Sequence, residues 1–282
     1  MAKGVFVTGS GTGVGKTYVS ALLIRGFSAL GHRVTYMKPV ETGCSGFGLP
    51  GGALIGDTPA GDASVGDVLA DGVSTSNVSI GADTHLALGL TSCKSGDISL
   101  HSPYRFAPAC SPHLAAREAN CRIDIGHIVL AYEKLAKSAA ADVVIVEGAG
   151  GVLAPISDNE YMIDVMRALR IPAILVVEPS LGTLNHTFMS LRELGRSEVD
   201  VVGVVINNAC GINRDYIYND NAASIRRYVG SIPCLDFGHG GINNDCDGIN
   251  EDRCCVNKNY GGINKTQGIA VKEFCNELAK RI

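Results

Sequence analysis

Short apolar runs recur along the chain at residues 5–7, 34–37, 143–146, 174–177 and 201–206, bounded by Gly, Pro or Asp. They are rich in Val and Ile and do not alternate with polar positions, which is the pattern of strands buried on both faces. Between them, apolar positions fall at helical spacing over 18–30, 123–139, 162–169, 184–194 and 213–228. Strands and helices in alternation predict an α/β fold: a mostly parallel sheet with helices on both faces and right-handed crossovers. A last helix is predicted over 271–281, where Val271, Phe274 and Leu278 fall at core spacing.

Two segments interrupt this rhythm. Residues 44–82 are rich in Gly, Ala, Ser and Asp and read as an inserted loop. Residues 237–267 form a polar excursion that repeats one phrase at irregular spacing: Gly241-Ile242-Asn243, Gly248-Ile249-Asn250 and Gly262-Ile263-Asn264. Irregular copies predict turns rather than a solenoid. Both segments are expected to leave a single domain over 1–282 intact. Composition agrees, since 46% hydrophobic and 18% charged residues describe a globular chain.

The net charge of -4 argues against a basic surface for nucleic acid. No apolar run approaches the ~20 residues of a membrane span. The sequence enters a strand without a basic and apolar leader, so a cytoplasmic protein is expected. Its 10 cysteines are scattered and are expected to be mostly free thiols. Cys246, Cys254 and Cys255 lie near Asp245, Asp247 and His239, but the spacing lacks the paired arrangement of a metal site.

The first apolar run leads into Gly9-Ser10-Gly11-Thr12-Gly13-Val14-Gly15-Lys16-Thr17, and a helical pattern follows from Tyr18. Glycines let consecutive backbone N–H groups turn toward an anion, and the following helix adds its positive end. Lys16 would reach the β- and γ-phosphates, and the Thr17 hydroxyl would ligate Mg²⁺. The usual spacing puts a glycine where Ser10 stands; Gly9 gives a slightly longer loop. A glycine-rich turn without a ligand is the plain alternative. Gly-Lys-Thr between strand and helix favours a nucleoside triphosphate site and a P-loop NTPase-like fold.

Open parallel sheets bind ligands beyond the carboxyl ends of their strands. After the second run comes Lys38-Pro39-Val40-Glu41-Thr42-Gly43, where a lysine could neutralise charge on a transferred phosphoryl group or simply reach solvent. After the third comes Glu147-Gly148-Ala149-Gly150-Gly151, a carboxylate placed to hold Mg²⁺ and glycines that let backbone approach a ligand. After the fourth, Gly182 and Thr183 open a helix whose N–H groups could receive a substrate carboxylate; capping by Thr183 is an equal reading. After the fifth, Asn207 and Asn208 could read a purine edge or make an ordinary turn.

Five stretches in one order resemble the dethiobiotin synthetases: Thr8-Gly9 through Lys16-Thr17, Lys38 through Gly43, Ser111-Pro112-His113-Leu114-Ala115-Ala116, Val146 through Gly151, and Leu181-Gly182-Thr183-Leu184-Asn185-His186. The likeness covers most of the chain apart from 44–82 and 237–267. It implies Mg²⁺- and ATP-dependent carboxylation of 7,8-diaminopelargonic acid by CO₂, closing the ureido ring of dethiobiotin through a carbamate and a carbamic-phosphoric anhydride, with ADP and phosphate released. It also implies a homodimer.

The same resemblance assigns residues. Lys38 is the catalytic lysine, with Lys16 and Thr12 beside it. Thr17, Asp83 and Glu147 match metal positions, with Asp62 and Asp67 as competitors to Asp83. Nucleotide contacts fall on Gly13, Val14, Gly15, Lys16, Thr17, Tyr18, Asp83, Glu147, Gly148, Ala149 and Gly150. Asn207 with Asn208, and Pro233, Cys234 and Leu235, are assigned to the base. Thr42 and the turn Gly182, Thr183, Leu184 and Asn185 are assigned to the substrate, the turn acting across the dimer interface. Gly11 stands where the family usually carries Asp, and both excursions are long for it.

Two other readings compete. A partition-type P-loop ATPase switch would carry a lysine at the position of Gly11 and a basic face or terminal amphipathic helix for DNA or membranes. A cobalamin-precursor amide synthetase would add a glutaminase domain, for which 282 residues leave no room.

Overall fold

The computed structural model describes residues 2–44, 81–208, 211–237 and 265–282. Asp62, Asp67 and the cluster of Cys246, Cys254 and Cys255 lie outside the described residues, as does most of both expected excursions.

The main sheet contains β1 (Lys3–Gly9), β2 (Val34–Met37), β5 (Val143–Glu147), β6 (Ala173–Val177), β7 (Val201–Asn207) and β8 (Cys234–Phe237). Its order is β2-β5-β1-β6-β7-β8, and every pairing is parallel. The helices are α1 (Lys16–Ala29), α2 (Ala82–Leu90), α3 (Ile98–His101), α4 (Pro112–Glu118), α5 (Ile125–Ser138), α6 (Met162–Leu169), α7 (Thr183–Arg196), α8 (Tyr216–Val229) and α9 (Lys265–Ala279). Two three-residue strands, β3 (Val40–Thr42) and β4 (Tyr104–Phe106), form a separate parallel pair.

The sheet divides two cores. Val5 and Val7 of β1 join Leu22, Leu23 and Phe27 of α1 and Val271, Phe274 and Leu278 of α9 on one face. Phe6 points the other way, into a core with Ile128 and Leu135 of α5, Met162 and Met166 of α6 and Ile225 of α8. Successive strand residues therefore enter opposite cores, and both are apolar because helices cover both faces. This is the expected α/β architecture. The connection from β1 crosses to β2 on one side, whereas β6 leads to β7 on the other. Ligands bind at such a reversal, beyond the carboxyl ends of the strands, and the glycine loop lies there.

Some boundaries differ from the sequence expectation. The last helix begins at Lys265 rather than 271, so residues 265–267 belong to α9 and not to the polar excursion. Its first turn has no apolar side chain and is half-exposed or exposed where described, which hid it from an argument based on core spacing. Likewise Ala82 opens α2 rather than closing the inserted loop. Six cysteines, at 44, 93, 110, 121, 234 and 275, are free among the described residues. Also among the described residues, no helix is long and apolar enough to cross a membrane and no His/Cys/Asp/Glu cluster of metal-holding type occurs.

The exit from β2 is tightly held. Lys38 N–H donates to the His101 carbonyl at 2.7 Å, and Tyr104 N–H donates to the Pro39 carbonyl at 3.2 Å. The Ser95 N–H donates to His101 Nε2 at 3.0 Å, so Nδ1 carries the proton toward the Tyr36 carbonyl at 2.7 Å. Burial lowers the pKa of this fully enclosed imidazole, which keeps it neutral.

Packing between α1 and α9 gives a test of the core. A Cβ on Gly26 would lie 2.4 Å from Cys275 Sγ and 3.0 Å from Val271 Cγ1. Gly26→Ala is expected to destabilise the protein by about 1–2 kcal/mol in urea unfolding, because overpacking outweighs the ~1 kcal/mol gain in helix propensity. A more stable variant would mean that α9 yields freely at this contact.

Candidate active site

The loop that follows β1 turns through left-handed backbone at Gly13 (φ 79°) and Gly15 (φ 87°), and Gly15 caps α1. A side chain is disfavoured in that conformation, which explains the glycines. Lys16 starts the helix, and its buried Nζ donates to the Gly11 carbonyl at 2.9 Å. Thr17 follows, and its hydroxyl donates to Glu147 Oε1 at 2.8 Å.

Glu147 ends β5 and is 1% exposed. Its two oxygens have different partners. Oε2 accepts the Tyr36 hydroxyl at 2.9 Å, while Oε1 faces both the Thr17 hydroxyl and Lys38 Nζ, the latter at 3.0 Å. Lys38 Nζ also pairs with Asp83 in the first turn of α2. Thr17, Lys38, Asp83 and Glu147 thus meet from different elements of the fold. Tyr36 completes the group; a strand tyrosine within a buried run is indistinguishable by pattern from core, although a buried hydroxyl needs a partner.

Charge in this cluster is balanced by proximity. Burial works against the Lys38 ammonium, but Glu147, Asp83 and Glu41 outweigh it and raise the pKa above that of free lysine. Burial likewise opposes the Asp83 carboxylate, and Lys38 prevails, holding its pKa below the usual value. Burial and the charges of Glu147 and Asp83 raise Tyr36, so its phenol stays a donor. Lys16 differs: burial lowers its pKa to about 8, with Glu147 opposing that fall and Lys38 adding to it.

Two carboxylates meeting at Lys38 Nζ, with the Thr17 hydroxyl on one of them, form a hard-oxygen set, which suits Mg²⁺ rather than a soft metal. The loop after Glu147 lies against the glycine loop: a Cβ on Gly151 would be 3.4 Å from Gly11 Cα. Gly148 packs under Phe6, with a Cβ there 2.8 Å from Phe6 Cε1. Gly150 turns through positive φ with the Thr12 hydroxyl 3.8 Å from where its Cβ would stand. Ala149 sits between these two glycines, partly buried.

Asn207 reaches the same loop from β7. Its Nδ2 donates to the Val14 carbonyl at 2.9 Å, while its buried Oδ1 has no hydrogen-bond partner among the described residues. An acceptor left open beside a phosphate loop fits the amino group of a purine. Asn208 is engaged differently: Ile212 N–H donates to Oδ1 at 2.7 Å and Nδ2 donates to the Ile212 carbonyl at 2.8 Å. Its amide closes a local turn.

Other expected residues are not drawn into the cluster. Pro233 precedes β8, and Cys234 and Leu235 open it, with Cys234 level with Val204 and Phe237 level with Asn207. The register therefore sets this segment back along the strand from the level of Asn207. Phe237 is the β8 residue near the site, its ring edge-on to Tyr18 at 5.5 Å. Thr42 ends β3, paired with Phe106. Gly182 (φ 93°) caps α7, and Thr183 is buried with its hydroxyl 3.4 Å from that of Thr187. Leu184 is half-buried and Asn185 exposed. This turn shares the carboxyl rim of the sheet because β6 borders β1.

The Lys16 value gives a pH test. Its pKa in the fold lies below that of a free lysine, so the proton leaves earlier as pH rises. Affinity for ATP is expected to fall by up to about tenfold per pH unit above pH 8, since only the ammonium attracts phosphate. Equilibrium nucleotide binding should show this fall, and Lys16→Met should flatten it. An equally steep fall in Lys16→Met would assign the effect to another group.

The AAA_26 family model, described as an AAA domain, matches residues 3–236. The ATP-dependent dethiobiotin synthetase BioD of Nitrosospira multiformis is 34% identical over 207 residues, covering 73% of this chain and 76% of that protein. The protein of the same name from Thermodesulfovibrio yellowstonii is 31% identical over 245 residues, covering 83% and 88%. Among solved structures, the Pyrococcus furiosus cell division ATPase MinD aligns over 100% of both chains at 14% identity with a TM-score of 0.49.

Proposed function

The chain belongs to the dethiobiotin synthetase family, and from that premise we propose that it is an ATP-dependent ligase that forms the ureido ring of dethiobiotin. The substrates are 7,8-diaminopelargonic acid, CO₂ and Mg·ATP. One amine of the diamine attacks CO₂ and loses a proton, giving a carbamate. A carbamate oxygen then attacks the γ-phosphorus, ADP leaves, and a carbamic-phosphoric anhydride forms. The second amine attacks the carbonyl carbon and loses a proton, the C–O bond to phosphate breaks, and inorganic phosphate departs with ring closure.

The observation that carries this reading is the meeting of Thr17, Lys38, Asp83 and Glu147 beside the glycine loop. A carbamate facing a triphosphate crowds negative charge, and fixed cations in a water-poor site stabilise it strongly. Lys38 is the group that faces both the carbamate and the transferring phosphoryl; Lys16 and the Thr12 side of the loop hold the β- and γ-phosphates. Thr17, Asp83 and Glu147 would hold Mg²⁺, which offsets charge on the phosphates when bound. Asn207 Oδ1 accepts from the adenine amino group, and Gly13 through Tyr18 and Glu147 through Gly150 line the nucleotide.

The amines must be held close to one carbon, because orientation supplies much of the rate in ring closure. Thr42 meets the diamine, and the N–H groups at Gly182, Thr183, Leu184 and Asn185 receive its carboxylate, from the second copy in a homodimer. The enzyme works in the cytoplasm, where its substrates and reduced thiols coexist.

The test supplies purified protein with ATP, Mg²⁺, labelled bicarbonate and the diamine. Labelled dethiobiotin formed in step with phosphate supports the assignment. ATP hydrolysis indifferent to the diamine would overturn it in favour of a nucleotide switch.

A further inference from the structure

Glu41 stands within the stretch that carries Lys38, yet the chemistry above gives it no role. Its carboxylate is buried on β3, with 2% of the residue exposed. Oε2 accepts the Gly81 N–H and Oε1 accepts the Thr84 N–H, each at 3.1 Å. Both donors belong to the first turn of α2, whose N-cap is Gly81, a residue without a side chain of its own to cap the helix. A carboxylate is favoured there by unpaired N–H groups and the positive end of the helix. Here it comes from 40 residues earlier in the chain.

Asp83 lies between the two clamped amides. The turn that Glu41 grips is therefore the turn that presents the Asp83 carboxylate to Lys38. Gly81 is shaped for the grip, since a Cβ there would stand 2.3 Å from Glu41 Oε1. Glu41 is itself fixed by the pairing of β3 with β4, opposite Arg105.

We propose that Glu41 is a positioning residue: by clamping the start of α2, it sets the Asp83 carboxylate against Lys38 and Thr17 in the geometry that binds Mg²⁺. Clamp and lysine leave β2 on one short segment, so the two partners of the ion pair are located by a single piece of backbone. The inference rests on the role proposed above for Asp83.

Glu41→Gln and Asp83→Asn, made singly and together in the full chain, test it. Glu41→Gln keeps the shape but sets an amide NH₂ against a backbone donor. It is expected to lower kcat/KM about tenfold and to raise the Mg²⁺ needed for half-maximal rate by a similar factor, as losses behind metal ligands do. On the Asp83→Asn background the same change should alter the rate less than about twofold, because coupled residues are non-additive. Independently of activity, the Gly81 or Thr84 amide should exchange at least about tenfold faster with solvent, while β3 amides keep their protection. Equal rate losses on both backgrounds, or unchanged exchange at both amides, overturn the inference alone. Wild-type activity in Asp83→Asn overturns the Asp83 assignment and the inference together. If Glu41→Gln does not fold, Gly81→Ala must give the same Mg²⁺ shift; a wild-type Mg²⁺ dependence there overturns the proposal.

Discussion

Lys38→Ala is expected to lower dethiobiotin formation by about a thousandfold while leaving ATP binding within a few-fold of wild type. The ammonium sits against Glu147 Oε1 at 3.0 Å and against Asp83, beside but not within the glycine loop. Its loss removes the cation that meets the reacting oxygens, whereas Lys16 and the loop amides still hold the nucleotide. A second consequence follows from burial. Glu147 is almost wholly enclosed, so without Lys38 its charge loses a partner, at a cost on the order of 3 kcal/mol. Mg·ATP restores a cation to the cluster, so it should raise the Tm of Lys38→Ala more than that of wild type. Product assays, calorimetric ATP binding and thermal unfolding separate these effects. An unchanged turnover rate would remove Lys38 from the mechanism.

Gly15→Ala should abolish nucleotide binding at ordinary concentrations, a loss of at least about a hundredfold in affinity. Two penalties combine. Gly15 has φ 87°, which costs an alanine about 1–2 kcal/mol, and its new Cβ would lie 2.0 Å from Asn207 Nδ2. That nitrogen ties the Val14 carbonyl, so relief of the clash moves the loop or Asn207, whose buried Oδ1 has no partner among the described residues. Gly11→Ala is the matched control. Nothing lies within 4 Å of a Cβ there, so affinity should stay within about twofold. Equal losses in the two variants would show that the loop rejects any added side chain, irrespective of backbone geometry.

Much of this site could be read from sequence because it sits where strands end. Lys16, Thr17, Lys38 and Glu147 each follow an apolar run, and parallel strands direct their carboxyl ends to one rim. Asp83 is different. It lies on a helix reached after a segment with few large apolar residues, so resemblance alone pointed to it, and the structure then places it on Lys38. Strands β3 and β4 carry three residues each, too few for a period to register, and the clamp from Glu41 depends on them. Tyr36 was hidden because its strand is buried on both faces, and a hydroxyl inside such a run leaves no mark on the pattern. Pro233, Cys234 and Leu235 were legible only through resemblance, because residues of these types carry no signature of base binding in a strand pattern. The register of β8 against β7 sets Cys234 and Leu235 level with Val204 and Val205.

The central claim is that two ammonium groups and a divalent cation converge on the terminal phosphate next to the diamine. A crystal structure with Mg²⁺, a non-hydrolysable ATP analogue and 7,8-diaminopelargonic acid tests it directly. The account predicts both Lys16 Nζ and Lys38 Nζ within about 3.2 Å of γ-phosphate oxygens, with Thr17, Asp83 and Glu147 on the metal directly or through water. Lys38 Nζ turned away from the γ-phosphate, with Lys16 alone reaching it and the diamine bound elsewhere, would contradict it.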